Sequence, residues 1–250
     1  MRLFGLIGYP LSHSFSKKYF TEKFEREGLN DCAYENFPIA SIDELKRILA
    51  LDGLEGLNVT IPYKEKVIPF LYQSSAVVRK IKACNCIKIK NGKLYGYNTD
   101  IAGFEKSLKK NWNPFLHSNA LILGTGGSAK AVKYVFDKFD IKYKKVSRKP
   151  SADSFSYEQL TKNILAKYKL IVNTTPLGLF PNIVEAPQIP YEFLTPEHFL
   201  FDLIYNPPKT LFLKKGEERG AIIQNGHDML VLQAEENWKI WNTDEAPTEL

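Results

Sequence analysis

Two short segments of this chain end on charged side chains of the kind a carbonyl-reducing site needs. NVTIPYK (58–64) closes on Lys64, and YNTD (97–100) closes on Asp100. A third segment, LGTGGSAKA (123–131), is a glycine loop. A lysine, a carboxylate and a dinucleotide loop are the parts required to move a hydride onto a carbonyl and a proton onto the resulting oxygen. A surface Lys/Asp pair is the alternative that spacing alone leaves open.

The glycine loop carries the more specific signal. Gly124, Gly126 and Ala129 match GxGxxA, with Thr125, Gly127 and Ser128 completing the loop. The first glycine permits a tight turn, the second lets a pyrophosphate approach the backbone, and the small third residue lets the following helix sit close to its strand. Amides at that helix N-terminus then face the phosphates. A strand signal before the loop and a helical one after it support nucleotide binding over a structural turn. At the end of the next strand, where an NAD site places Asp or Glu, the chain has Ser147, Arg148 and Lys149. Two cations and a hydroxyl suit a 2′-phosphate, so NADP is expected over NAD; a solvated basic loop is the alternative.

The elements that must position these groups follow from periodicity. Residues 3–8 and 57–61 read as strands, and 33–37 is a further strand candidate. Residues 14–27 carry Phe15, Tyr19, Phe20 and Phe24 at helical spacing and stop at Gly28. Ser41 with Glu44 forms a capping box for a helix over 41–51. Residues 86–89 and 93–97 flank Asn91-Gly92, a type I′ hairpin signal. In the second half, continuous apolar runs at 120–123, 145–146, 170–172, 199–204 and 221–223, with a helix expected at 129–139, indicate a parallel sheet covered on both faces. Residues 229–241 form an amphipathic helix, with Leu230, Ala234 and Trp238 or Trp241 on one face, that could return to the first half.

The 250 residues are 44% hydrophobic and 25% charged, enough for a sizeable core and no case for disorder. The net charge of +6 is scattered, without a basic stripe interleaved with aromatics, which speaks against nucleic acid and suits a small anion. Cys84 and Cys86 form a lone CxC with no nearby His, so buried thiols are expected and no metal. The N-terminus reads as a first strand and not a signal peptide, and no apolar run reaches membrane-spanning length. A soluble, cytoplasmic protein is expected.

Besides these, the chain carries HSFS (13–16), ACNC (83–86), NTTPLG (173–178), DLIYNPPKT (202–210) and NGHDMLVLQA (225–234). In this order they resemble the shikimate dehydrogenase family, NADP-dependent enzymes of the chorismate pathway, from Gly8 to about Ala234. The resemblance implies an α/β fold of two domains. One is a mixed-sheet substrate domain (1–101 plus 226–250); the other is a Rossmann-type NADP domain (102–225), with the reaction in the cleft between them. It implies that Ser14, Ser16 and Tyr205 bind the substrate carboxylate, and that Thr60, Asn85 and Gln233 hold ring hydroxyls. Lys64 would then be the catalytic lysine and Asp100 its partner, also bonded to substrate. Thr174, Leu203, Gly226 and Met229 would line the nicotinamide side, and Arg148 would clamp the adenosine phosphate. The implied reaction is NADPH-dependent reduction of 3-dehydroshikimate to shikimate by a monomer or homodimer, with no nucleic-acid or membrane partner. A quinate/shikimate dehydrogenase using NAD, and a ligand-binding regulator without turnover, are the rival readings. Tyr9, Lys17, Cys86, Ile101 and Lys149 depart from the family pattern without removing a side chain given chemistry here.

Overall fold

The computed structural model describes residues 1–11, 15–149, 151 and 153–244. The first stretch of chain forms β1 (Arg2–Gly8), α1 (Phe15–Glu27), β2 (Cys32–Pro38), α2 (Leu45–Leu49), β3 (Leu54–Val59), β4 (Gln73–Ser74), α3 (Ala76–Ile81), β5 (Cys86–Lys90) and β6 (Lys93–Tyr97). Then come α4 (Asp100–Leu108), β7 (Asn119–Leu123), α5 (Gly127–Lys138), β8 (Lys142–Val146), β9 (Ser154–Phe155), α6 (Lys162–Lys167) and β10 (Leu170–Asn173). The chain continues through β11 (Phe199–Asp202), α7 (Leu211–Glu217), β12 (Ile222–Gln224) and α8 (His227–Asn242). These elements pack into two units, Met1–Thr99 together with Gln233 onward, and Asp100–Leu232.

The first unit holds a six-stranded mixed sheet in the order β2-β1-β3-β5-β6-β4. Strands β2, β1 and β3 are parallel, while β5 runs antiparallel to both β3 and β6. The β5–β6 hairpin turns at Asn91 and Gly92 with φ of 51° and 69°, the left-handed pair a type I′ turn requires. Side chains of β1 alternate between two apolar layers, as the strand period of two dictates. Leu3 and Ile7 join a cluster with Leu45, Leu57, Tyr63 and Val67, and Phe4 and Leu6 join Phe20, Phe24, Tyr34, Ala234 and Trp241. Trp241 stacks on Phe4 at 4.8 Å, and its indole Nε1 donates to the Ile87 carbonyl at 3.0 Å. Lys23 on α1 is buried, and its ammonium bonds Glu27 at 2.8 Å and Glu235 at 3.0 Å, with the Tyr19 hydroxyl also on Glu235.

Six parallel strands in the order β12-β11-β10-β7-β8-β9 make the sheet of the second unit. Read from the other edge, the strands follow the 3-2-1-4-5-6 order of a doubly wound sheet, whose order reverses between β7 and β10. The core strands are continuous apolar runs because both faces are covered: every residue of β10 and β11 is buried. Strand β8 starts three residues before the run expected at 145–146; its Lys142, Lys144 and Lys145 concealed it in the sequence. The helix expected over 41–51 is instead a 3₁₀ turn, Ile42–Glu44, running into the short α2. Its capping box is present, with Glu44 Oε1 accepting from the Ser41 amide at 3.1 Å.

Candidate active site

In the first unit, the loop after β3 fixes the backbone on both sides of Lys64. Tyr63 is buried and its hydroxyl donates to the Ile39 carbonyl at 2.6 Å, while its amide bonds the Thr60 carbonyl at 2.9 Å. The carbonyl of Lys64 accepts the Cys84 amide at 2.7 Å. Lys64 and Thr60 are half-buried at this loop, and the Thr60 amide bonds the Ile7 carbonyl at 3.0 Å. The Asn85 carbonyl accepts the Val59 amide at 2.8 Å, which brings Asn85 beside the start of the same loop.

Ser16 sits in the first turn of α1 and is hydrogen-bonded to the Tyr34 hydroxyl, which donates to Asn58 Oδ1 at 2.7 Å. Burial pushes the Tyr34 phenol well up, with the Ser16 hydrogen bond acting the other way. Ser14, expected beside Ser16, lies outside the described residues. Gln233 and Asn85, 148 positions apart by number (233 − 85), are joined through two buried side chains that the sequence reading gave no role, Thr99 and Asn237. Thr99 takes both ends of the Asn85 amide, and Asn237 bonds both Thr99 and Gln233. The only hint of Thr99 in the sequence is its place inside YNTD; Asn237 gives none beyond lying one helical turn after Gln233.

In the second unit, Asp100 is the first residue of α4 and is half-buried. The glycine loop connects β7 to α5. Gly124 has φ +105°, a conformation that side chains disfavour, and a Cβ there would lie 2.8 Å from Thr174 Oγ1. Thr174 in turn bonds the Leu123 carbonyl through its hydroxyl at 2.7 Å, so the two loops at the switch point of the sheet are knit together. Gly126 is the N-cap of α5 and has no side-chain capping bond among the described residues. A Cβ on Gly126 or Gly127 would meet nothing within 4 Å, so the exposed helix N-terminus, with Thr125 and Ser128 beside it, has room for a phosphate group. Ser147 follows β8 and its Oγ accepts the Lys149 amide at 3.2 Å, forming a turn that leaves Arg148 and Lys149 exposed. These residues fit a phosphorylated dinucleotide.

Leu203 and Gly226 meet backbone to backbone: a Cβ on Gly226 would lie 2.1 Å from the Leu203 carbonyl oxygen. The Leu203 amide bonds the Asn173 carbonyl at 3.0 Å, and Met229 is buried on the first turn of α8. Beneath them, the Asp202 carboxylate gathers Asn173 Nδ2 at 3.0 Å, the Ile204 amide at 3.1 Å and Thr210 Oγ1 at 2.5 Å. Burial raises its pKa to about 6 against the pull of those three donors. No role for Asp202 follows from the sequence alone. Tyr205 is half-buried, and desolvation pushes its phenol up. Cys84 and Cys86 are buried and form no disulfide, and no cluster of metal-binding side chains occurs among the described residues. No helix among those residues is long and apolar enough to cross a membrane.

Comparison with known proteins gives this geometry its context. Residues 6–87 match the family model of the shikimate dehydrogenase substrate binding domain. A shikimate dehydrogenase (NADP(+)) from Desulforamulus reducens is 35% identical, over 98% of this chain and 91% of that protein. The crystal structure of shikimate 5-dehydrogenase from Thermus thermophilus in complex with NADP(H) and shikimate superposes with a TM-score of 0.85 at 28% identity, covering 99% of this chain and 95% of that one. Quinate dehydrogenase from Corynebacterium glutamicum in complex with NAD also reaches 0.85, at 26% identity over 99% and 95% of the two chains. A mixed sheet with a lysine loop, a doubly wound sheet with an open glycine loop, and a relative of this identity along nearly the whole length lead to one conclusion: the chain belongs to the shikimate dehydrogenase family.

Proposed function

We propose that this chain interconverts 3-dehydroshikimate and shikimate with NADP(H) as cofactor, in the reducing direction for aromatic biosynthesis. The observation that carries the reading is the basic turn at Ser147–Lys149 in a chain with a full-length relative named as an NADP(+) shikimate dehydrogenase. Residues 1–101 with 226–250 serve as the substrate domain and 102–225 as the NADP domain.

Bound NADPH supplies the hydride. Gly124, Thr125, Gly126, Gly127 and Ser128 hold its pyrophosphate through backbone amides and hydroxyls, and Ser147, Arg148 and Lys149 hold the 2′-phosphate. Thr174, Leu203, Gly226 and Met229 shape the nicotinamide side. Ser14, Ser16 and Tyr205 hold the substrate carboxylate by neutral donors, and Thr60, Asn85 and Gln233 orient its hydroxyls. Lys64 stabilises the negative charge that grows on the carbonyl oxygen and supplies the proton there. Asp100 holds that lysine in place and bonds the neighbouring hydroxyl. The protein acts in the cytoplasm on a small anion, as a monomer or homodimer, without nucleic-acid or membrane partners.

Quinate oxidation with NAD is the second reading, raised by the likeness to the Corynebacterium enzyme. The absence of an acidic residue at 147–149 argues against it. The deciding experiment follows reduced-nicotinamide absorbance with each of shikimate and quinate against each of NADP and NAD. Shikimate with NADP should give the highest kcat/KM; preference for NAD with quinate, or no turnover with any pair, would overturn the proposal.

A further inference from the structure

The side chains that join Asn85 to Gln233 form a chain of hydrogen bonds whose direction is fixed at one end. The Thr99 backbone amide, which can only donate, bonds Asn85 Oδ1 at 2.7 Å. The other end of the Asn85 amide, Nδ2, therefore faces Thr99 Oγ1 and donates to it at 3.0 Å. The Thr99 hydroxyl has one hydrogen, and its shortest contact is Asn237 Oδ1 at 2.6 Å; Asn85 Oδ1 and Gln233 Oε1 lie farther away, at 3.3 and 3.5 Å. Asn237 then has Nδ2 on its remaining side, donating to Gln233 Oε1 at 3.1 Å. Thr99, Asn85, Gln233 and Asn237 are all buried, Asn237 completely, so water does not scramble the order. Gln233 and Asn237 lie one turn apart on α8, on the same face of the helix.

We infer that Thr99 and Asn237 are positioning residues that keep the carbonyl end of the Gln233 amide turned inward, so that Gln233 meets the substrate as a hydrogen-bond donor. The inference rests on the proposed contact of Gln233 with a ring hydroxyl. A primary amide carries a donor and an acceptor of nearly equal size, and without such a lock either end would face the ligand. Held this way, Gln233 selects an oxygen that accepts.

Asn237→Asp reverses the logic. Assayed at a pH high enough to ionise the buried carboxyl, an aspartate at 237 still accepts from Thr99 but has no hydrogen for Gln233, so the glutamine turns its Nε2 inward and presents Oε1 to the substrate. We expect KM for shikimate to rise about tenfold, the loss of one well-made hydrogen bond, while kcat and KM for NADP stay within about threefold of the unsubstituted chain. Thr99→Val, close in shape, breaks the chain of donors and should raise the same KM about fivefold; Thr99→Ser keeps the hydroxyl and should restore it. The Thr99 pair carries the test if the aspartate variant does not fold. Unchanged KM for shikimate in Asn237→Asp or Thr99→Val, or a Thr99→Ser variant as impaired as Thr99→Val, would overturn the inference while leaving turnover intact. No shikimate turnover in the unsubstituted chain is a different result; it would remove the functional reading and this inference together.

Discussion

Lys64 is held through its backbone, between buried Tyr63 on one side and the Cys84 amide on its own carbonyl. Lys64→Ala keeps these backbone contacts while removing the ammonium. Turnover is expected to fall about a hundredfold or more with KM for shikimate changed less than about threefold, as for a group that acts on developing charge. Steady-state kinetics with a thermal melt as control checks this; a variant with normal kcat would end the catalytic role. Arg148 is exposed on a turn that bonds to itself through Ser147, so its loss should leave the fold alone. Arg148→Ala should lower kcat/KM for NADPH about tenfold and leave that for NADH unchanged, the signature of a lost 2′-phosphate contact. At this scale the sequence was informative wherever a function sits in one contiguous string. The glycine loop and the basic turn after β8 could be located because residue type and local order mark them. Thr99 and Asn237 were not, because the partners are 138 positions apart (237 − 99) and an asparagine on a helix has no periodic signature.

Between elements, Gly226 packs tightly against the Leu203 backbone, joining the end of β11 to the start of α8. An added methyl would meet a carbonyl oxygen that cannot swing aside. Gly226→Ala should destabilise the protein by about 1–3 kcal/mol and weaken NADPH binding, measured by urea unfolding and fluorescence titration. A variant as stable as the parent would show that the two segments separate without penalty. Asp202 couples β10, β11 and the Thr210 cap of α7. Burial lifts its pKa from 3.8 to about 6, so the folded protein holds this proton more tightly than the unfolded chain does. Its contribution to stability is complete below about pH 4 and is lost as pH rises through about 6, by up to about 3 kcal/mol. The stability of the parent relative to Asp202→Asn should accordingly decline from pH 4 to 7, and a flat difference across that window would refute the assignment. The apolar runs of β7, β10 and β11 were legible because buried parallel strands have no polar face. Strand β8 was legible only at its end, since three lysines mask its pairing with β7.

Across the whole molecule, the first unit is assembled from two distant stretches of chain and the second from one continuous stretch. Trp241 shows what the return contributes: it stacks on Phe4, approaches Phe20 and Tyr34, and bonds the Ile87 carbonyl of the sheet. Trp241→Ala should cost about 3–5 kcal/mol. Hydrogen exchange should then quicken in β1, β3 and β5 while β7 and β10 keep their protection; uniform acceleration in both sheets would contradict the independence of the two cores. The return helix was legible from its amphipathic spacing, but not the register that seats Trp241 instead of Trp238 deepest, because helical periodicity leaves neighbouring turns equivalent. This arrangement has a consequence for biosynthesis. A ribosome makes the first ninety-nine residues well before it makes the tryptophan that completes their apolar layer, an interval of roughly seven to thirty seconds at ordinary elongation rates. During that time the nascent half exposes the rings of Phe4, Phe20 and Phe24, a surface suited to holdase chaperones, while the following half can mature as it emerges.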